Sequence, residues 1–105
     1  MKKEYINRKD FDKAIYVLKE AYESDPTYND ARIIYAASLI YGGKTKEAEV
    51  LVGEEMIVDN RLISAYAATG NYQRLRAILE EQLSRNPNDS QTLLTLAATY
   101  IQIGE

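Results

Sequence analysis

Apolar residues recur three and four positions apart along most of the chain, which is the spacing of one face of an α-helix. The first segment with this pattern, Phe11–Ser24, follows Asp10, whose side chain can cap the start of a helix. Asp25-Pro26 ends the segment, because the residue before a proline is pushed out of the α region. The pattern therefore predicts a first helix between Asp10 and Asp25.

Five further segments show the same spacing, and most end at a recognisable stop signal. Gly42-Gly43 and Gly70-Asn71 are typical helix ends, since glycine accepts the left-handed conformation that closes a helix. Asn86-Pro87 repeats the stop at Asp25-Pro26. The predicted helices are Ala31 to about Tyr41, about Thr45 to Glu54, Asn60–Ala68, Tyr72–Arg85 and a last one that ends at Ile103. The predicted caps are Asn29 or Asp30 for the first of these, Asp59 for the third, and Asp89 or Ser90 for the last. Residues 1 to 8 are predicted to form a further short helix, and Met56–Asp59 an extended link. The predicted fold class is all-α, with six to seven helices.

Two stretches of the chain repeat one another. ESDPTYNDARIIYAASLIYGG, which ends at Gly43, is followed sixty-one residues later by SRNPNDSQTLLTLAATYIQIG, which ends at Gly104. The aligned positions are Asp25 and Asn86, Pro26 and Pro87, Ala36-Ala37 and Ala97-Ala98, and Gly43 and Gly104. A repeated unit of helix, glycine turn, helix and Asp/Asn-Pro turn predicts stacked helical hairpins.

This unit resembles the tetratricopeptide repeat, whose first helix carries a bulky residue, Leu-Gly and Tyr, and whose second carries a small residue, a bulky one and Pro. The matching positions are Leu93, Leu96, Ala97 and Tyr100 with Gly104; Arg32, Tyr35, Ala36 and Leu39 with Gly43; Ala48 and Val52; and Ala14, Leu18, Ala21 and Pro26. The resemblance implies one repeat domain over residues 1–105, folded as a right-handed stack of about three antiparallel hairpins. Two repeats of about 34 residues would place the prolines about 68 apart, so seven residues are missing, and we place the loss around Gly53 to Leu62.

Four alanines occupy positions where two helices of such a hairpin cross closely, and only a small side chain permits that approach. They are Ala14, Ala36, Ala48 and Ala97. We expect these alanines to be packing residues, and we expect Ala36 and Ala97 in particular to be buried.

A second, more local resemblance concerns DPTYNDARIIYAASLIYGGKTKEAE, which begins at Asp25, and VDNRLISAYAATGNY, which begins at Val58. These stretches look similar to repeat segments of bacterial membrane proteins of the O-antigen polymerase and ligase type. That resemblance implies a piece excised from a longer membrane-associated protein, lying outside the bilayer. The longest apolar run, Ile33–Tyr41, is far shorter than the roughly 20 residues of a membrane span, so we expect no direct membrane insertion.

Composition argues against several kinds of chemistry. The chain has no histidine and no cysteine, so the usual neutral-pH general base, the commonest zinc ligand and thiolate metal sites are missing. The net charge is −3, and no broad basic surface is expected to attract nucleic acid. Gly42–Lys46 reads GGKTK but lacks the upstream glycine and strand of a phosphate-binding loop. We predict no cofactor and no enzymatic activity.

The remaining candidate is the concave surface that the first helices of such a stack would line. By spacing, the residues on that surface are Ile33, Ala37, Ile40 and Tyr41 from one hairpin, Ser64, Ala67 and Ala68 from the next, and Leu94, Ala98 and Ile101 from the last. Any one of them could instead pack against a neighbouring repeat. Because Ile33 and Ala37 stand where the family's clamp for acidic peptide termini has polar residues, we do not expect that activity.

Together these residues predict a shallow apolar groove with small residues at its floor, suited to an amphipathic helix or an extended apolar peptide. The function expected from the sequence is a non-catalytic protein-interaction module. The alternative is a structural spacer or oligomerisation segment of a larger protein. Helix 90–103 carries Leu93, Leu94, Leu96, Tyr100, Ile101 and Ile103 around much of its circumference, and a homodimer through this helix is a further expectation.

Overall fold

A computed structural model describes residues 8–52 and 57–104, and all of the regular secondary structure in these two ranges is α-helical. The six helices are α1 (Arg8–Ser24), α2 (Asn29–Tyr41), α3 (Thr45–Val52), α4 (Asn60–Ala68), α5 (Tyr72–Arg85) and α6 (Ser90–Ile103). The all-helical prediction is confirmed for the described residues. The predicted helix over residues 1 to 8, and the positions of Glu54 and Met56, fall largely or wholly outside these ranges.

The predicted side-chain caps are observed at α4 and α6 but not at α2. α1 begins at Arg8, so Asp10 lies inside the helix and not at its N-cap position. The N-cap of α2 is Tyr28, not Asn29 or Asp30, and its side chain makes no capping hydrogen bond. Asp59 and Asp89 do cap α4 and α6, as predicted, by accepting hydrogen bonds from backbone amides of the first turn.

The two Asp/Asn-Pro segments form the same turn. The amide of Tyr28 donates to the carbonyl of Asp25 at 3.0 Å, and the amide of Asp89 donates to the carbonyl of Asn86 at 3.2 Å. Each is a four-residue turn with proline in its second position, where the fixed φ of proline suits the turn. The repetition in the sequence is therefore also a repetition of backbone hydrogen bonding.

The glycine stops form a second repeated structure. Gly43 follows α2 with a φ of 82°, and Gly70 follows α4 with a φ of 77°. In both turns the next amide donates to the carbonyl five residues earlier, at 2.7 Å from Lys44 and 2.9 Å from Asn71. This arrangement satisfies carbonyls left open at the helix end and needs a residue that accepts positive φ.

The chain divides into two compact units, Met1–Glu54 and Glu55–Glu105. In the first unit, α2 packs against both α1 and α3, so it is buried on most of its surface. The core of this unit consists of Ala31, Ile33, Tyr35, Ala36, Ala37, Leu39, Ile40, Ala48 and Val52. Arg32, which departs from the bulky residue of the repeat pattern, reaches α3 and donates to the carbonyl of Leu51 at 3.4 Å.

In the second unit, α5 packs against both α4 and α6. The apolar core of this unit consists of Leu62, Ala65, Tyr66, Leu75, Ile78, Leu79 and Leu96, with the hydroxyl-bearing Thr92 and Thr99 also buried. The hydroxyl of Tyr100 donates to a carboxylate oxygen of Glu80 at 2.6 Å and links α6 to α5. No described helix is long and apolar enough to cross a membrane.

The alanines predicted at close helix crossings differ in their surroundings. Ala36 and Ala48 are completely buried, as expected. Ala97 is exposed, so the prediction for this residue is wrong. The reason is that α6 turns the face of Thr92 and Leu96 into the core of the unit, and Ala97 lies on a different side of the helix.

Candidate functional site

The ten residues predicted to line a groove differ in exposure between the two units: most of those in the first unit are buried, and all of those in the second are exposed. In the first unit Ile33, Ala37 and Ile40 are buried, with Ile40 completely inaccessible. They are core residues because α2 is covered by α1 and by α3, so the expectation that they present an open surface is not met. The fourth, Tyr41, is exposed and stacks on Phe11 with ring centroids 6.0 Å apart.

The six predicted residues of the second unit are all exposed. They are Ser64, Ala67 and Ala68 on α4 and Leu94, Ala98 and Ile101 on α6. Of these, Ser64 lies in a cleft between helices. Leu94 and Ile101 lie on the side of α6 that faces away from the core of the unit, because each is two residues, or about 200° of helical rotation, beyond a buried threonine.

The cleft has a volume of about 570 Å³ and is built from three helices of the second unit. It is lined by Asn60, Ile63 and Ser64 from α4, Leu79 and Gln82 from α5, and Asp89, Gln91, Thr92 and Thr95 at the start of α6. These residues come from the first half of α4, the second half of α5 and the first half of α6. A volume of this size is within the range of about 300–1,000 Å³ that is usual for ligand clefts.

Uncharged polar groups dominate the lining of the cleft. Asn60, Ser64, Gln82 and Gln91 carry amide or hydroxyl groups that can both donate and accept hydrogen bonds. The apolar residues of the lining are Ile63 and Leu79, and Leu79 is only 2 % exposed. The cleft can therefore offer hydrogen bonds and a limited apolar contact.

Asp89 is the only carboxylate among the lining residues, and both of its carboxylate oxygens accept hydrogen bonds from the first turn of α6. One carboxylate oxygen accepts from the amides of Gln91 and Thr92 at 3.1 and 3.4 Å, and the other accepts from the hydroxyl of Thr92 at 2.8 Å. The hydrogen bond from the Thr92 side chain, followed by those from the two amides, lowers the pKa of Asp89 below its ordinary value. Asp89 is thus an ionised helix cap at neutral pH, not a proton donor.

Asp59 and Tyr35 also have shifted pKa values, and the local structure explains both shifts. The side-chain hydrogen bond from Arg61 lowers the pKa of Asp59, the cap of α4. Burial, with a smaller contribution from Glu47, raises the pKa of Tyr35 in the core of the first unit. Among the described residues, no three histidine, cysteine or carboxylate side chains cluster so that they could hold a metal ion.

Of the nine residues that line the cleft, only Ser64 belongs to the site predicted from the sequence, and the other eight, among them Asn60, Gln82 and Gln91, were not predicted. A signal for two of them is present in the helical spacing, because Asn60 is four residues before Ser64 and Gln91 is seven before the predicted Ala98. Gln82 carries no such signal. It lies on α5, and only the packing of α5 against α4 and α6 places it in the cleft.

Comparisons with family models, with curated proteins and with solved structures found no match to this chain.

Proposed function

We propose that this chain is a non-catalytic protein-interaction module that holds an amphipathic peptide or helix in the cleft between α4 and α6. The observation that carries the proposal is the cleft itself, about 570 Å³ in volume, whose lining combines hydrogen-bonding side chains with the apolar Ile63 and Leu79. An amphipathic segment matches both features, because its polar groups can meet the amides and hydroxyls and an apolar side chain can contact the half-buried Ile63.

A tetratricopeptide-like stack of hairpins is part of the proposal. Gly70 and Gly104 both have positive φ and are separated by 34 residues (104 − 70), the length of one such repeat. Gly43 and Gly70 are separated by 27 (70 − 43), so seven residues are missing between them. The halves of the helices that line the cleft are those that an antiparallel α4–α5–α6 arrangement would bring to one end, which also supports the proposal.

A small residue extends the cleft along α4. Ala67 is three residues after Ser64, so it lies on the same side of its helix as a cleft residue. Ala67 is exposed. With no side chain beyond Cβ, it leaves room for a bound segment to continue past the cleft.

The proposal is non-catalytic because the chain has neither histidine nor cysteine, and because the cleft's one carboxylate, Asp89, is engaged in capping. Binding would rely on hydrogen bonds and a small apolar contact, and part of the gain would be offset by lost freedom on association. We therefore expect a dissociation constant on the order of micromolar.

The experiment is selection of peptides from a random library displayed on phage, followed by fluorescence anisotropy titration of the selected peptides. Ser64→Trp should fill the cleft and weaken binding by at least about tenfold, which corresponds to about 1.4 kcal/mol. Val50→Trp is the matched control, because Val50 is 81 % exposed on α3 and is not in the cleft.

Circular dichroism should show both variants folded, since both changes are at exposed positions. Equal weakening by Ser64→Trp and Val50→Trp would contradict the proposed site. Failure to select any peptide that binds with micromolar affinity would favour the structural-spacer alternative.

A further inference from the structure

The side of α6 that faces away from the core of the second unit is apolar and exposed. Leu94 and Ile101 are 74 % and 75 % exposed, and Leu93 is 46 % exposed. Ala97 and Ala98 are exposed between them. This outward face of α6, defined by Leu93, Leu94, Ala97, Ala98 and Ile101, includes two of the three most exposed large apolar side chains of the described residues.

α6 differs from the other five described helices in carrying no charged residue. Its sequence, SQTLLTLAATYIQI, contains no Asp, Glu, Lys or Arg, whereas each of the other helices contains at least one. A second copy of this chain carries the same net charge of −3 and is repelled by it. At the outward face of α6 two copies can approach without placing like charges against each other.

The order of residues on this face is symmetric about its centre. Leu94 and Ile101 are seven residues, or about 10 Å, apart, and Ala97-Ala98 lies midway between them. Two copies of α6 packed antiparallel about a twofold axis at Ala97-Ala98 place Leu94 of each copy beside Ile101 of the other. The alanines at the axis allow the helices to come within about 8–10 Å, and the antiparallel helix dipoles oppose each other favourably.

We propose that the outward face of α6 is a homodimer interface, with two copies of the chain packed antiparallel about Ala97-Ala98. The face is small, since a helix of 14 residues is about 21 Å long. Such a patch buries well under about 1,200 Å² in total, which is the range of weak, reversible interfaces. The dimer therefore has a dissociation constant on the order of 100 μM, and the chain is monomeric at low micromolar concentration.

Sedimentation equilibrium over a range of about 5 μM to 1 mM tests the interface. The parent chain shifts toward the dimer mass as concentration rises, and Leu94→Glu or Ile101→Glu weakens dimerisation by at least about tenfold, because each puts a charge into an apolar contact. Val50→Glu is the matched control: it makes the same kind of change at an equally exposed apolar residue outside α6 and leaves the dimer intact.

Disulfide cross-linking tests the antiparallel geometry, since the chain has no cysteine of its own. Under mild oxidation a mixture of the Leu94→Cys and Ile101→Cys chains forms a cross-linked dimer. Each variant alone does not, because its two thiols are separated by about 10 Å along the axis, beyond the roughly 4.4–6.8 Å between Cα atoms that a disulfide spans.

Three results would overturn the proposal: a monomer mass up to 1 mM, a dimer unaffected by Leu94→Glu and Ile101→Glu, or cross-linking of Leu94→Cys to itself in preference to Ile101→Cys. Sedimentation of the monomer with neutral phospholipid vesicles would assign the face to a lipid surface and would also overturn it. Because Ser64 is not on this face, loss of dimerisation and loss of peptide binding in the cleft can be told apart.

Discussion

At the scale of single residues, the face that a side chain occupies decides what it can do. Ile40 is completely buried in the first unit, although helical spacing within the expected repeat architecture assigned it to an open groove. Ala97 is exposed, although its alignment with Ala36 predicted burial. Spacing identifies which residues share a face, but which face is covered depends on how many helices pack around the element, and this is a tertiary property.

Ala36 and Ala97 therefore respond differently to enlargement. Ala36→Leu should lower the free energy of unfolding by about 1–3 kcal/mol, because Ala36 is completely buried and the added atoms must displace packed neighbours. Ala97→Leu should change it by no more than about 0.5 kcal/mol, as is usual at exposed positions. Urea unfolding at a few micromolar protein checks both. Equal destabilisation by the two substitutions would contradict the assigned burial.

Asp59 supports a pH prediction. Its carboxylate accepts from the amide of Arg61 at 2.8 Å and pairs with the guanidinium of Arg61 at 2.9 Å. Asp59→Ala should cost about 1 kcal/mol at neutral pH through loss of the cap. The pKa of Asp59 is lowered in the folded state from an ordinary value of 3.8, so its stabilisation is present above about pH 4 and is lost as pH falls through the lowered pKa.

Unfolding curves of the parent chain and Asp59→Ala between pH 7 and pH 2 measure this effect. The difference in unfolding free energy should shrink below about pH 4. Asp59→Asn is the control, since asparagine also caps helices well but does not titrate. A difference between the parent and Asp59→Ala that stays constant down to pH 2 would show that the ionised carboxylate does not stabilise the cap.

At the scale of elements, local signals account for most of the fold. The bounds of α4 and α5 agree with the sequence prediction at both ends, because Asp59, Gly70 and the Asn86-Pro87 stop act within one turn of the chain. The start of α2 was missed because Tyr28, which has no capping side chain, holds the N-cap position. No rule of capping propensity identifies such a start, and the Asp25-Pro26 turn before it fixes the backbone instead.

Substitutions of Gly43 test whether the repeated glycine turn requires a residue with positive φ. A Cβ at this position would meet no atom within 4 Å outside Gly43 and its two chain neighbours, so the cost of a substitution comes from the backbone conformation. With φ at 82°, Gly43→Ala should lower the unfolding free energy by about 1–2 kcal/mol, and Gly43→Asn by less, because asparagine tolerates the left-handed region better. Thermal or urea unfolding measures both. A neutral Gly43→Ala would mean that the turn does not require positive φ.

At the scale of the whole molecule, each unit has its own pattern of covered and open surface. In the first unit the predicted groove residues of α2 are largely core, whereas in the second unit all six remain accessible. The second unit offers two distinct surfaces: a cleft with polar walls that includes Ser64, and the apolar outward face of α6. The sequence predicted exposure on α4 and α6 through helical spacing, but the separation into two surfaces depends on where α5 packs.

The central claim is that the cleft between α4 and α6 is the binding surface, and an NMR titration with a library-selected peptide tests it most directly. We predict that amide chemical shifts change at Ser64, Ala67, Gln82, Gln91 and Thr95, which line or extend the cleft. Residues of the first unit should serve as an internal reference with unchanged shifts. Changes confined to Leu94 and Ile101, or to the first unit, with none at Ser64, Gln82 and Gln91, would contradict the claim.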